Sequence, residues 1–125
     1  MGKINIMKAE VCSGDKCVKD VAKEMSSKKI RRFYIVNGKK ELEGVFTTVD
    51  LIKVIVGDKD ASKVKVKDIM TKNVKYIDLE SSIEDALKIM NDLRTFVCPV
   101  VDNGKFIGIV GYQDIIRGVV DESRK

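Results

Sequence analysis

The chain has 125 residues, of which 44% are hydrophobic and 34% charged, and its 24 Lys and Arg residues outnumber its 19 Asp and Glu residues. This length fits one compact module and excludes a second full-sized domain. Because the chain has no histidine, Ser-His-Asp triads and histidine metal sites are excluded. No apolar run nears the roughly 20 residues of a membrane span. The start of the chain lacks the features of a signal peptide, so we expect a cytoplasmic protein with no membrane partner.

The first half of the chain predicts the order helix, strand, strand, helix. Residues 18–25 carry apolar side chains at i, i+3, i+4 and i+7, the spacing of one helix face. Asn37-Gly38 separates two short runs of β-branched and aromatic residues, which is typical of a turn between strands. Residues 51–56 predict a second helix. Because its apolar residues cover more than one face, we expect part of it to meet another subunit in a homodimer.

The second half repeats the first. Residues 83–90 fall on residues 18–25 at a shift of 65 positions, and Asp114 falls on Asp50 at a shift of 64. The same elements are therefore predicted again, with Asn103-Gly104 as the turn and Ser82 as the cap of the first helix. We expect an α+β protein made of two βαββα repeats, over residues 1–62 and 63–125.

The three cysteines form no recognisable metal pattern. Cys12, Cys17 and Cys98 contain no C-x-x-C pair, and no histidine can complete a zinc site. With an odd count and no export signal, we expect reduced thiols, no metal, and a core position for Cys98. A disulfide between Cys12 and Cys17 is the alternative.

The turn between the last strand and the last helix of the first repeat contains the candidate ligand-binding residues. Thr47 lies where the strand ends and the free N–H groups of the helix begin, a place that attracts anions. The carboxylate of Asp50 suits two neighbouring hydroxyls such as a ribose diol. However, T-x-x-D at a helix start is also close to a capping box, in which a good cap contributes roughly 1 kcal/mol without any ligand. In the second repeat Gly111 replaces the threonine and Asp114 remains, so both interpretations stay open.

Several motifs together resemble a tandem pair of CBS domains, also called a Bateman module. They are the doubled βαββα pattern, Ile6-Met7 and Ile69-Met70 ahead of the repeats, Cys98-Pro-Val-Val-Asp102, and Gly44-Val-Phe-Thr-Thr-Val-Asp50. The resemblance covers nearly the whole chain and implies two pseudo-symmetric repeats packed through their sheets. It also implies a non-catalytic regulatory module that often dimerises and that binds AMP, ADP, ATP or S-adenosylmethionine in clefts between the repeats, with no catalytic cofactor.

The resemblance implies two sites, each taking residues from both repeats. In the first site, Thr47 faces phosphate and Asp50 faces ribose. The family often has a basic residue at the position of Val97, and its absence here argues against tight binding of a di- or triphosphate. Its residues are Val45, Thr47, Thr48, Val49, Asp50, Tyr76, Ile77, Thr95 and Val97. In the second, two guanidinium groups suit phosphate, whereas Gly111 removes a hydroxyl, so we expect one full site. Its residues are Val11, Cys12, Ile30, Arg31, Arg32, Ile109, Gln113 and Asp114.

Three classes of function follow from these patterns. The leading hypothesis is a regulatory module that binds an adenosine-containing ligand and signals to an unidentified partner protein. The second is a structural or interaction dimer with vestigial clefts. The third, which the scarcity of aromatic residues disfavours, is a nucleic-acid binder that uses Lys28, Lys29, Arg31 and Arg32. An enzyme is not expected, because no nucleophile lies near a plausible base.

Overall fold

A computed structural model describes the chain from residue 4 to residue 123, with side chains described as far as residue 121. It confirms the α+β class and the repeated order of strand, helix, strand, strand and helix, and it adds a short helix at residues 66–69, near the start of the second repeat. The ends of the predicted repeats, residues 1–3 and 124–125, lie outside the described residues. The elements are β1 (Val11–Cys12), α1 (Val18–Lys28), β2 (Arg32–Val36), β3 (Leu42–Thr47), α2 (Thr48–Val56), α3 (Val66–Ile69), β4 (Ile77–Asp78), α4 (Ile83–Leu93), β5 (Val97–Asp102), β6 (Lys105–Gly111) and α5 (Tyr112–Ser123).

The chain divides into two compact units. The first-repeat unit comprises Glu10–Val74, and the second-repeat unit comprises the described residues before Glu10 together with those from Lys75 onward. The predicted boundaries at 1–62 and 63–125 concern the sequence duplication and stay a prediction. No helix within residues 4–123 is long and apolar enough to cross a bilayer.

The first-repeat unit is a three-stranded sheet in the order β1-β2-β3, with β1 parallel to β2 and β2 antiparallel to β3. Helix α1 covers the sheet because its apolar spacing places Val18, Val21 and Met25 on one buried face. These residues pack with the buried side chains of the strands and of α2. The core comprises Cys12, Val18, Val21, Met25, Phe33, Ile35, Phe46, Val54 and Val66.

The second-repeat unit has the equivalent sheet order, β4-β5-β6. Ser82 caps α4, since its Oγ accepts a hydrogen bond of 3.1 Å from the Asp85 N–H, and this confirms the predicted cap. The turn between β5 and β6 is also confirmed, because Asn103 (φ 51°) and Gly104 (φ 79°) both adopt the left-handed conformation that a two-residue hairpin requires. The core comprises Ile77, Ile83, Ala86, Met90, Cys98, Val100, Val110 and Ile115.

Each unit is completed by the segment that leads the other repeat. Met7 exchanges two backbone hydrogen bonds, of 2.8 and 2.9 Å, with Ile109 of β6, and Thr71 does the same with Val45 of β3 at 2.9 and 3.0 Å. Gly108 permits this close approach, because a Cβ there would lie 2.4 Å from the Met7 carbonyl oxygen. The Ile-Met motifs thus lie in or next to extended segments, each of which pairs with the last strand of the other repeat.

All three cysteines are free thiols, and Cys98 lies in the core as predicted. The alternative disulfide between Cys12 and Cys17 is not formed. Cys12 is also buried, with 7% of its surface exposed.

Candidate functional site

The turn from β3 into α2 is a complete capping box. Thr47 is the N-cap of α2, and its Oγ1 accepts a hydrogen bond of 3.2 Å from the Val49 N–H. In return, Oδ2 of Asp50 accepts a hydrogen bond of 2.9 Å from the Thr47 N–H. The hydroxyl of Thr47 lies 3.4 Å from the same carboxylate oxygen. The capping interpretation of T-x-x-D is therefore correct for the first repeat.

Asp50 is a buried carboxylate, with only 2% of its surface exposed. Burial of a charged group is unfavourable unless hydrogen bonds compensate, and here Thr47 supplies them. Both of these bonds end on Oδ2. The second oxygen, Oδ1, is therefore the carboxylate atom that retains acceptor capacity for another hydroxyl group.

Two arginines flank this turn within the first-repeat unit. Arg32 begins β2 and lies directly opposite Thr47 in the register of β2 and β3. Thr48 is the first residue of α2, and its N–H donates a hydrogen bond of 3.2 Å to the Arg31 carbonyl. Both arginine side chains are exposed, and neither is among the ion pairs between described side chains. The backbones of two residues with unpaired guanidinium groups thus lie beside the N-terminus of α2.

The other candidate residues of the first-repeat unit differ in accessibility. Val49 is 58% exposed and Val11 is 45% exposed, whereas Val45 and Ile30 are half-buried. Cys12 belongs to the hydrophobic core. A ligand could meet the Cys12 position through its backbone only.

The equivalent turn in the second-repeat unit keeps the backbone arrangement and changes the chemistry. Gly111 lies opposite Val97, and the Phe96 carbonyl accepts a hydrogen bond of 2.8 Å from the Tyr112 N–H. A Cβ added to Gly111 would lie 3.2 Å from Oδ2 of Asp114. The carboxylate of Asp114 lies 3.8 Å from the exposed guanidinium of Arg117. Gly111 thus stands where the first repeat has the Thr47 hydroxyl, and Phe96 and Val97 stand where it has Arg31 and Arg32.

The remaining candidates of the second-repeat unit also divide into exposed and buried groups. Gln113 and Tyr76 are exposed, and Ile109 is half-buried. Ile77 is fully buried in the core, so only its backbone could meet a ligand. The Thr95 hydroxyl donates a hydrogen bond of 2.8 Å to the Val97 carbonyl. The assignment of residues from both repeats to one site stays a prediction.

The basic stretch is partly neutralised. Lys28 Nζ lies 3.1 Å from Glu10 Oε2 and 3.7 Å from Glu24 Oε2, and the hydrogen bond with Glu10 raises the pKa of Lys28. One of the four cations that the nucleic-acid hypothesis requires is therefore already paired. Lys29 forms the left-handed C-cap of α1.

Phe96 is an exposed aromatic residue that the sequence analysis does not predict. With 83% of its surface exposed, it is the most exposed of the large hydrophobic residues described. The duplication indicates an exposed position, because the shift of 65 residues places Phe96 over Arg31, a charged residue of the first repeat.

Known proteins share this architecture. A family model described as the CBS domain matches residues 10–57 and 66–121. An uncharacterized protein of Methanocaldococcus jannaschii is 36% identical over 110 residues, which cover 86% of this chain and 59% of that protein. The mitochondrial CBS domain-containing protein CBSX3 of Arabidopsis thaliana is 33% identical, over 91% of this chain and 58% of its own length.

A solved structure of the cytosolic domain of the Mg2+ channel MgtE in complex with ATP is also similar. It is 27% identical, with a TM-score of 0.71, and the match covers 87% of this chain and 44% of that chain. The matched part of this chain spans about three-fifths of the length of these two relatives from Methanocaldococcus jannaschii and Arabidopsis thaliana. With two matched segments that cover most of its residues, this chain belongs to the CBS domain family and carries a tandem pair of these domains.

Proposed function

We propose that this CBS pair is a regulatory module that binds an adenosine-containing ligand, such as AMP, ADP, ATP or S-adenosylmethionine, and signals its occupancy to a partner protein. The observation that carries the proposal is the turn at Thr47 and Asp50, flanked in the same unit by the unpaired side chains of Arg31 and Arg32. The ATP complex of the MgtE cytosolic domain supports the same class of ligand.

Each group has a distinct role in this proposal. The free oxygen of Asp50 accepts from a ribose hydroxyl, because Oδ2 is already engaged by Thr47. The arginines bind phosphate oxygens, for which the planar guanidinium group is well suited. The two ligand sites, each with residues of both repeats, remain part of the proposal.

A regulatory role requires two states that differ in ligand affinity. We propose that a homodimer supplies them, formed through the apolar side of α2. Four apolar residues of this helix are more than half exposed: Val49, Ile52, Ile55 and Val56. Apolar surface of this extent on one short helix is typical of an interaction site.

The ligand proposal is tested by calorimetric titration of the purified chain with AMP, ATP, adenosine and S-adenosylmethionine. Replacing Arg31 and Arg32 together by Ala is expected to weaken AMP and ATP binding at least about tenfold, because charge-assisted hydrogen bonds are lost. Adenosine binding should change less.

The matched control replaces Lys19 and Lys23 by Ala, which removes the same charge from exposed positions of α1. Its nucleotide affinities should equal those of the wild type. Equal affinity of the arginine variant and the wild type, or no binding of any of these compounds, would contradict the ligand proposal.

A structural dimer with vestigial clefts is the second candidate, and one observation favours it. The capping box satisfies Thr47 and Asp50 within the protein, so stability alone accounts for both residues. Replacing Ile52 and Ile55 by Glu should give a monomer in light scattering. If this candidate is correct, the wild-type dimer binds none of the adenosine compounds.

A further inference from the structure

The second-repeat unit contains a cavity of about 320 Å³ that shares only one residue, Thr95, with the proposed ligand sites. It opens between the C-terminal end of α4 and the first residue of α5. Its volume lies at the lower end of the roughly 300–1,000 Å³ that small-molecule sites occupy. The cavity is lined by Met90, Asn91, Arg94, Thr95, Phe96 and Tyr112.

Two aromatic rings contribute to this cavity. Phe96 is 83% exposed, and Tyr112 is half-buried. Their backbones are joined by the hydrogen bond from the Tyr112 N–H to the Phe96 carbonyl, which holds the two residues next to each other. Aromatic side chains offer a flat apolar surface on which a planar ring can stack at little entropic cost.

Arg94 gives the cavity a positive charge. It is the left-handed C-cap of α4, with φ 51°, and its N–H bonds to the carbonyls at the end of that helix. Its side chain is exposed and takes part in no ion pair with the side chains described up to residue 121. None of the lining residues is acidic. The Asn91 amide adds further hydrogen-bonding capacity beside the cation.

We propose that this cavity binds a small planar aromatic acid, with its ring against Phe96 and Tyr112 and its carboxylate on Arg94. An aromatic surface next to an unpaired guanidinium complements both parts of such a molecule. The groups that carry the adenosine proposal, Asp50, Arg31 and Arg32, are not part of this cavity, whose lining residues all belong to the second-repeat unit. Among them, Thr95 alone belongs to a predicted site.

The test uses indole-3-acetate as the probe and the neutral indole-3-acetamide as its comparator, with amide NMR spectra of the full chain. We expect saturable shifts in residues 90–96 and at Tyr112 at submillimolar to millimolar probe, with weaker binding of the amide. Phe96→Ala and Arg94→Asn should each weaken indole-3-acetate binding about tenfold. Both positions are exposed, and Asn tolerates the left-handed backbone of residue 94.

Lys29→Asn is the matched control, since Lys29 is the left-handed C-cap of α1 and the variant loses the same charge. Its affinity for indole-3-acetate should equal that of the wild type. Absence of saturation at millimolar probe, or unchanged affinity in both cavity variants, would overturn the proposal. Affinity lost equally in Lys29→Asn would overturn it too, because general charge attraction would then explain the binding.

Discussion

Replacing Asp50 by Ala tests whether this carboxylate organises the turn of the first repeat. The change removes the acceptor of the Thr47 N–H hydrogen bond, and with it half of the capping box. Loss of a cap costs roughly 1 kcal/mol, and an N–H left without a partner adds a similar amount, so we expect a loss of about 2 kcal/mol in the free energy of unfolding. Asp50→Asn should lose about half as much, because its amide oxygen can still accept this bond.

Asp114→Ala is the internal control for this experiment. Asp114 occupies the equivalent position of the second repeat, but its partner is the exposed Arg117 at 3.8 Å. We expect its loss to cost less than about 1 kcal/mol. Equilibrium unfolding in urea, followed by circular dichroism and by tyrosine fluorescence, measures the three variants and tests two-state behaviour. If Asp50→Ala were no less stable than Asp114→Ala, the carboxylate would not hold the turn and the asymmetry between the repeats would have another cause.

Two further predictions concern the backbone and the thiols. Gly108→Ala should lower the midpoint of thermal unfolding by several degrees, because the added Cβ would lie 2.4 Å from the Met7 carbonyl oxygen and φ is 152°. Gly38→Ala is the control and should leave the midpoint nearly unchanged, because no atom lies within 4 Å of its added Cβ. Equal midpoints for the two variants would contradict the close packing at Gly108. Burial raises the pKa of Cys12 and of Cys98 from 9.0 to about 11, so both should react slowly with a disulfide reagent at pH 8. Because the thiols ionise at a lower pH in the unfolded chain than in the folded one, the free energy of unfolding should fall as the pH rises from 9 to 11. A free energy that stays constant over this range would contradict the raised pKa values.

Local physics accounts for what could be predicted from the sequence. The spacing of apolar residues in 18–25 and 83–90 produced α1 and α4, since one buried face needs contacts every three to four residues. Asn103-Gly104 produced a hairpin because these residues accept the left-handed conformation. The cap of α4 and the capping box at Thr47 follow from side chains that reach backbone groups two or three residues away.

Only the tertiary structure decided which distant segments meet. Met7 pairs with Ile109, and the register of β2 and β3 sets Arg32 opposite Thr47. It also decided that Lys28 is paired with Glu10 and that Phe96 is left exposed. Such contacts depend on the order and register of strands that are far apart in the chain, and each partner is chosen by competition with every other segment for the same sheet edge or surface. The spacing of residues within one segment does not determine which partner is chosen, because that choice depends on the packing of the whole sheet and its helices.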